Sequence, residues 1–384
     1  MDLLPPCREI SSPLLLSWFT EAIFSKLIRN RERILTYSGF LIQIQRFRFR
    51  GAVLTLLTLL LFLSNLSIGS VSIPFEKVFA VLIGNDIEQS TWQHIVLESR
   101  LPQAFTALMT GAALAICGLL LQTLFQNPLA DPSILGISSG ANLGVAAVVF
   151  FTGGTLGHLS QFGISGHLII VGSAFLGALI VLNIILYMAR RLQSNLMLLI
   201  VGIMVSYLVS SLITFINFYS SAENAFLFML WGMGDFSSVS LAQLPFYGLM
   251  LLVGLLAALL QVKPLNALLM GERYAANLGV RIKQTRMILL VISGLLTAVT
   301  TAFCGPISFI GLAVPHIARL LLGTGNHKKL LPFSLLLGAA VALLCNLLTN
   351  LPGHTGILPL NAITPILGAP VVLYVLLSRK RVIN

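Results

Sequence analysis

The chain has 384 residues, of which 57% are hydrophobic and only 9% charged, with a net charge of +11 and a mean hydropathy of +0.96. A soluble domain carries about 25% charged residues, so this composition excludes a water-soluble enzyme with a large core and makes the lipid bilayer its solvent. The positive balance raises nucleic acid as a partner, which the placement of the charges then excludes.

Residues 1–50 mix short apolar patches with Lys26, Arg29, Arg31, Arg33, Arg46, Arg48 and Arg50. They lack the pattern of a cleavable signal and predict a basic, partly amphipathic cytoplasmic segment, with a disordered tail as the alternative. Residues 51–384 form the membrane domain. Its apolar runs are 51–69, 102–122, 134–152, 167–187, 196–217, 243–261, 284–304, 308–323, 331–350 and 362–378. At roughly 20 residues per crossing they predict an all-α bundle of about ten spans, with nine or eleven still open. With the N-terminus inside and alternating spans, 21 of the 23 Lys and Arg fall on the cytoplasmic side, leaving Lys77 and Arg100 outside. The charge is therefore topological. It predicts both termini in the cytoplasm and no nucleic-acid partner.

The loop at 123–133 lies inside on this count. Asn127-Pro128 and Asp131-Pro132 close a turn, and Asp131 or Ser133 can cap the next helix. Gly136, Ser138, Ser139, Gly140, Ala141, Asn142 and Gly144 then open a helix of small residues. Such a helix either packs tightly against a neighbour or lines a path and slides. The inner segment 262–283 contains Gly271 and Gly279, which bracket one or two helical turns. Ala275, Ala276 and Leu278 there offer a small apolar face suited to a partner's groove.

The chain has no phosphate loop and no HExxH, and the apolar runs are nearly free of ionisable residues. Ion-coupled carriers place such groups at mid-membrane, so a pathway energised by another chain is expected. No catalytic residues, metal ligands or cofactors are predicted. His316 and Arg319 share a helical face, and without a second ligand His316 reads as structural or as part of an interface. Cys117, Cys304 and Cys345 lie in apolar runs and read as small buried residues.

Four segments in order resemble the permease family of ATP-binding-cassette importers for iron-siderophores, haem and cobalamin (the FecCD/BtuC type). They are "RLPQAFTALMTGAALAICGLLLQTLFQNPLADPSILGISSGANLG" at 100–144, "GERYAANLGV" at 271–280, "GPISFIGLAVPHIARLLLGTGNHKKLLPFSLLLGA" at 305–339 and "LPLNAITPILGAPVVLYVLL" at 358–377. The similarity spans roughly residues 51–380. It implies a multi-pass permease of the bacterial inner membrane, paired with a second copy or a related permease around a central pathway. Two cytoplasmic ATP-binding subunits and an extracytoplasmic substrate-binding protein would complete the assembly. By resemblance, Gly271, Glu272, Arg273, Ala275, Leu278 and Gly279 form the coupling helix that docks on the ATPase. Ser194 and Asn195 narrow the inner end of the pathway, and Arg100 receives a carboxylate of the binding protein. The chain departs from the family pattern in several places. Gln103 stands where Arg is usual, Asn346 and Asn350 where Asp and Arg are usual, Ile357 for Glu, Asn361 for Gly, and Leu196 for a small polar residue. The alternative classes are an ion-coupled secondary transporter or channel and, third, a membrane-embedded enzyme.

Overall fold

A computed structural model of the chain describes residues 47–69, 71, 73–84, 90–151, 166–192, 194–351 and 358–380. Most of the basic N-terminal segment and Ile357 lie outside them. The chain divides into two compact units, Met1–Val53 and Leu54–Asn384. Of the first, the described residues are those that open helix α1 (Phe47–Ser67), which starts ahead of the expected boundary at residue 51.

The described residues form helices and turns, with no strand among them. In chain order after α1 come α2 (Phe75–Leu82) and α3 (Thr91–Leu124). A 3-10 turn (Pro132–Leu135) precedes α4 (Ile137–Phe151), α5 (Gly166–Arg191), α6 (Asn195–Phe218) and α7 (Ala222–Gly232). Next are α8 (Leu244–Leu260), α9 (Val262–Leu268), α10 (Glu272–Asn277), α11 (Ile282–Cys304), α12 (Ile310–Leu322), α13 (His327–Thr349) and α14 (Leu360–Lys380). Every apolar run falls on a helix. Six of these are long and apolar enough to cross a bilayer, or seven if α8 and α9, bent by 54° at their junction, count as one. The bend has a cause in Pro264, whose ring clashes with the carbonyl four residues back and which lacks an N–H. The remaining apolar helices, α4, α12 and the first 15 residues of α14, are shorter.

Burial separates core from periphery. The most apolar window of α3 is 83% buried and that of α11 78%, against 17% for α6 and 22% for α1. The sequence of α3 explains its central place. Gly111 and Gly118 remove side chains where other backbones must pass. A Cβ at Gly111 would stand 2.2 Å from the Gly338 carbonyl oxygen of α13, and one at Gly118 1.7 Å from that of Gly311 in α12. Helices without a hydrophobic drive between them associate through such close contacts and through hydrogen bonds. Both are present here: the Thr110 and Tyr247 hydroxyls lie 2.6 Å apart, joining α3 to α8 within the core.

Side-chain bonds define two ends of the bundle. At one end, residues 122–136, 192–195, 261–282 and 319–329 are tied together. His316 Nε2 donates to the Pro128 carbonyl at 2.7 Å, Gln126 Nε2 to that of Leu268 at 3.1 Å, and Arg319 to Gln122 Oε1 at 2.7 Å. The His327 ring bridges Thr123 and Asn266. The structural role expected of His316 is thus observed. At the other end, Asn361 Nδ2 donates to the carbonyls of Gly232 at 3.1 Å and Pro306 at 2.5 Å, while its Oδ1 accepts from Ser308 N at 3.2 Å. That pairing accounts for the departure at this position, because the amide satisfies the open backbone between α11 and α12.

Candidate coupling and pathway site

Helix α10 is a six-residue helix set off by two glycines. Gly271 has φ +99° and Gly279 φ +83°, a region in which Cβ-bearing residues are strained. Its C-terminus closes as a Schellman motif: Gly279 N donates to Ala276 O at 2.9 Å and Val280 N to Ala275 O at 3.0 Å. The faces of α10 differ from the expectation. Ala275 is fully buried against its own chain, so it anchors the helix and offers nothing to a partner. The outward apolar surface is Met270, Tyr274 and Leu278, at 67%, 50% and 61% exposure. Tyr274 lies within α10, while Met270 and Leu278 flank it on either side. Arg273 is also exposed.

Glu272, the first residue of α10, joins two regions that the sequence presents separately. Its Oε1 accepts from Asn195 Nδ2 at 2.5 Å and lies 3.6 Å from Arg286 Nη2 of α11. Asn195 Nδ2 also donates to the Leu124 carbonyl at 2.9 Å, and Arg286 Nη1 to that of Leu192 at 3.0 Å. The short 192–195 link, the end of α3, α10 and the start of α11 therefore meet on one carboxylate. Ser194 caps α6 by accepting from Met197 N at 3.4 Å. Leu196 is 66% exposed. Between this link and α10 lies an open cleft of about 760 Å³. Sequence reasoning counted Arg286 only as an inner charge. It is 14 residues from Glu272 across a helix break, a separation that carries no periodic signal.

In the 124–144 stretch, Asn127 Oδ1 accepts from Leu129 N at 2.9 Å and Asp131 Oδ2 from Ser133 N at 3.2 Å, as the turn chemistry predicts. Burial pushes the Asp131 carboxyl above its ordinary range, against the lowering effect of its bonds from Ser133. Gly136 takes φ +77° and ends the 3-10 turn. Gly140 and Gly144 occupy a backbone seam with α5: a Cβ would lie 2.5 Å from the Gly177 carbonyl oxygen and 2.0 Å from that of Ser173. Such contact leaves no open lumen at these glycines and favours packing over sliding. Ser138 Oγ lies 3.2 Å from Thr301 Oγ1 of α11. Ser139 is half-buried. The buried Oδ1 of Asn142 has no hydrogen-bond partner in the protein.

Arg100 requires a correction. It is 6% exposed, and its guanidinium donates to the carbonyls of Leu66 at 2.9 Å, Ser67 at 2.8 Å and Val71. These bonds close the turn after α1, so Arg100 is not a free cation awaiting a partner's carboxylate. Two departures in sequence prove to be one contact. Gln103 Nε2 donates to Asn346 Oδ1 at 3.1 Å, and Asn346 Nδ2 to Asn65 Oδ1 at 2.8 Å. Asn350 Nδ2 reaches the Asn346 carbonyl at 2.8 Å.

A helical bundle with a glycine-bracketed helix at its basic end is the arrangement that the resemblance implies for a permease subunit. Residues 56–378 match the model of the FecCD transport family. The chain belongs to that family. It is 37% identical over 292 residues to the vitamin B12 import system permease protein BtuC of Klebsiella pneumoniae, covering 75% of this chain and 84% of that one. It is also 37% identical over 286 residues to BtuC of Escherichia coli O9:H4, covering 74% and 84%. A solved structure described as a metal-chelate type ABC transporter in an inward-facing conformation superposes with a TM-score of 0.74 at 29% identity, covering 86% of this chain and 99% of that one.

Proposed function

We propose that the chain carries a metal chelate into the cytoplasm as one half of a permease dimer, with itself or a related permease. Two ATP-binding subunits would dock on Met270, Tyr274 and Leu278, and a binding protein outside would deliver the substrate. The observation that carries this reading is the Glu272 junction. A force applied to α10 reaches the 192–195 link directly, through Asn195 and through Arg286 with Leu192. The vitamin B12 permeases it is similar to make a cobalamin-like chelate the first substrate to try, with iron-siderophore and haem next. Helices lined by small and apolar residues hold a bulky ligand weakly, so selection belongs to the delivery protein.

The test is uptake into proteoliposomes holding the permease, its ATPase and its binding protein, supplied with labelled cobalamin or labelled ferric siderophore. ATP-dependent accumulation of one of them is expected. Glu272→Gln removes the charge opposite Arg286, and its uptake is expected to fall about tenfold, the effect of roughly 1.4 kcal/mol of lost bias, with the ATPase still co-purifying. Normal uptake by Glu272→Gln would take the junction out of the mechanism.

A further inference from the structure

We infer that an open cleft beside the end of α5 is a binding site for the phosphate headgroup of an anionic membrane lipid. The cleft, about 570 Å³, is walled by the last turn of α5 and the first turns of α10 and α11. Arg190, Arg191, Arg273 and Lys283 line it with exposed side chains. Its one lining carboxylate, Glu272, is already engaged by Asn195 and Arg286. Four exposed cations against one carboxylate, whose Oε1 is held by Asn195 and Arg286, favour a phosphate here, since each Lys or Arg near an anionic lipid surface contributes independently.

What makes the occupant a lipid is the surface leading to the cleft. Leu176, Ile180, Ile184 and Tyr187 of α5 are exposed at 62%, 63%, 40% and 54%, and at helical spacing they form one stripe that ends at Arg191. From Leu176 to Tyr187 the helix rises about 16 Å, close to the roughly 15 Å of hydrocarbon in one leaflet. The Arg191 guanidinium stands 5.5 Å from the centre of the Tyr187 ring. An amphipathic aromatic and a cation are thereby placed at the level of the headgroups. An acyl chain along the stripe delivers its phosphate into the cleft. A soluble anion or an acidic protein surface would leave the stripe unused.

This inference needs only the membrane setting and does not depend on the coupling role of α10. The experiment is native mass spectrometry of the purified permease in detergent, titrated separately with phosphatidylglycerol and phosphatidylcholine. Two variants are compared: Arg190→Gln/Arg191→Gln/Lys283→Gln at the cleft, and Lys328→Gln/Lys329→Gln as a control elsewhere at the same end. The native chain is expected to retain phosphatidylglycerol at least tenfold more tightly than phosphatidylcholine. The cleft variant should lose about fivefold per cation removed, while the control keeps its preference. Equal loss in both variants would mean diffuse attraction to the basic end and overturn the site. Displacement of the lipid by inorganic phosphate at comparable concentration would identify a free-anion site and overturn the lipid assignment. A cleft variant that keeps the lipid preference but no longer co-purifies with the ATPase would assign the cleft to that partner instead.

Discussion

Gln103, Asn346 and Asn65 form a neutral amide chain, and the resemblance implies charged groups at two of these positions, 103 and 346. The two departures compensate each other, because an Arg at 103 facing an Asn at 346 would bring a cation to a partly buried site with no carboxylate to meet it. The bonds from Gln103 to Asn346 and from Asn346 to Asn65 instead link the three amides without charge. Gln103→Arg alone is therefore expected to destabilise the bundle by roughly 1–3 kcal/mol, the scale of an ill-satisfied buried polar group. Gln103→Arg/Asn346→Asp should recover most of the loss. Melting temperatures in detergent of both single variants and the double variant check this. Additive losses in the cycle would show that the two positions do not interact. Sequence alone could flag both residues as unusual. It could not pair them, since 243 positions separate them and only the packing of α3 on α13 brings them together.

At the scale of elements, α10 and the α4–α5 seam make opposite demands. Gly279→Pro forces φ from +83° toward −65° and deletes the N–H that bonds Ala276 at 2.9 Å. Leu278→Glu puts a charge in the exposed apolar strip. Both variants are expected to insert and fold, since Leu278 and Gly279 are exposed, yet to lose uptake together with ATPase association. Uptake by either at the native rate would detach α10 from function. Gly144→Leu acts elsewhere: with a Cβ 2.0 Å from the Ser173 carbonyl, it must push α4 off α5. Stability and transport should fall together, and a variant with a native melting temperature but blocked transport would restore the sliding helix. The sequence made the helices of the apolar runs, their order, the glycine brackets and the turn chemistry at Asn127 and Asp131 legible, because each is local and periodic, whereas α2, α7 and α9 lie outside those runs. It left three things hidden. They are the inward turn of Ala275, the closure of Arg100 on three carbonyls, and the Glu272–Arg286–Asn195 junction, all fixed by contacts between segments far apart in the chain.

Across the whole molecule, the ends of the bundle differ in charge, and this difference predicts the orientation of the chain in the membrane. Among the described residues, the end holding α10 carries Arg190, Arg191, Lys263, Arg273, Arg281, Lys283, Arg286, Arg319, Lys328 and Lys329 against two carboxylates, Asp131 and Glu272. The opposite end carries Glu76, Glu98, Glu223 and Asp235 against Lys77 and Arg100. Basic loops are retained on the cytoplasmic side during insertion, so α10 should face the compartment that holds ATP, and the acidic end the compartment from which substrate arrives. The assignment can be read without transport. Lys328 and Glu223 are exposed at opposite ends, while Cys117, Cys304 and Cys345 are buried. In a Cys7→Ser background, Glu223→Cys is expected to react with a membrane-impermeant maleimide added to intact right-side-out vesicles. Lys328→Cys should react only after the membrane is opened. The reverse pattern would put α10 outside, where no ATPase could reach it, and the coupling role of Glu272 would fall with it. Labelling of both sites before opening would point to leaky vesicles, and an impermeant dye trapped in the lumen distinguishes that case by its release.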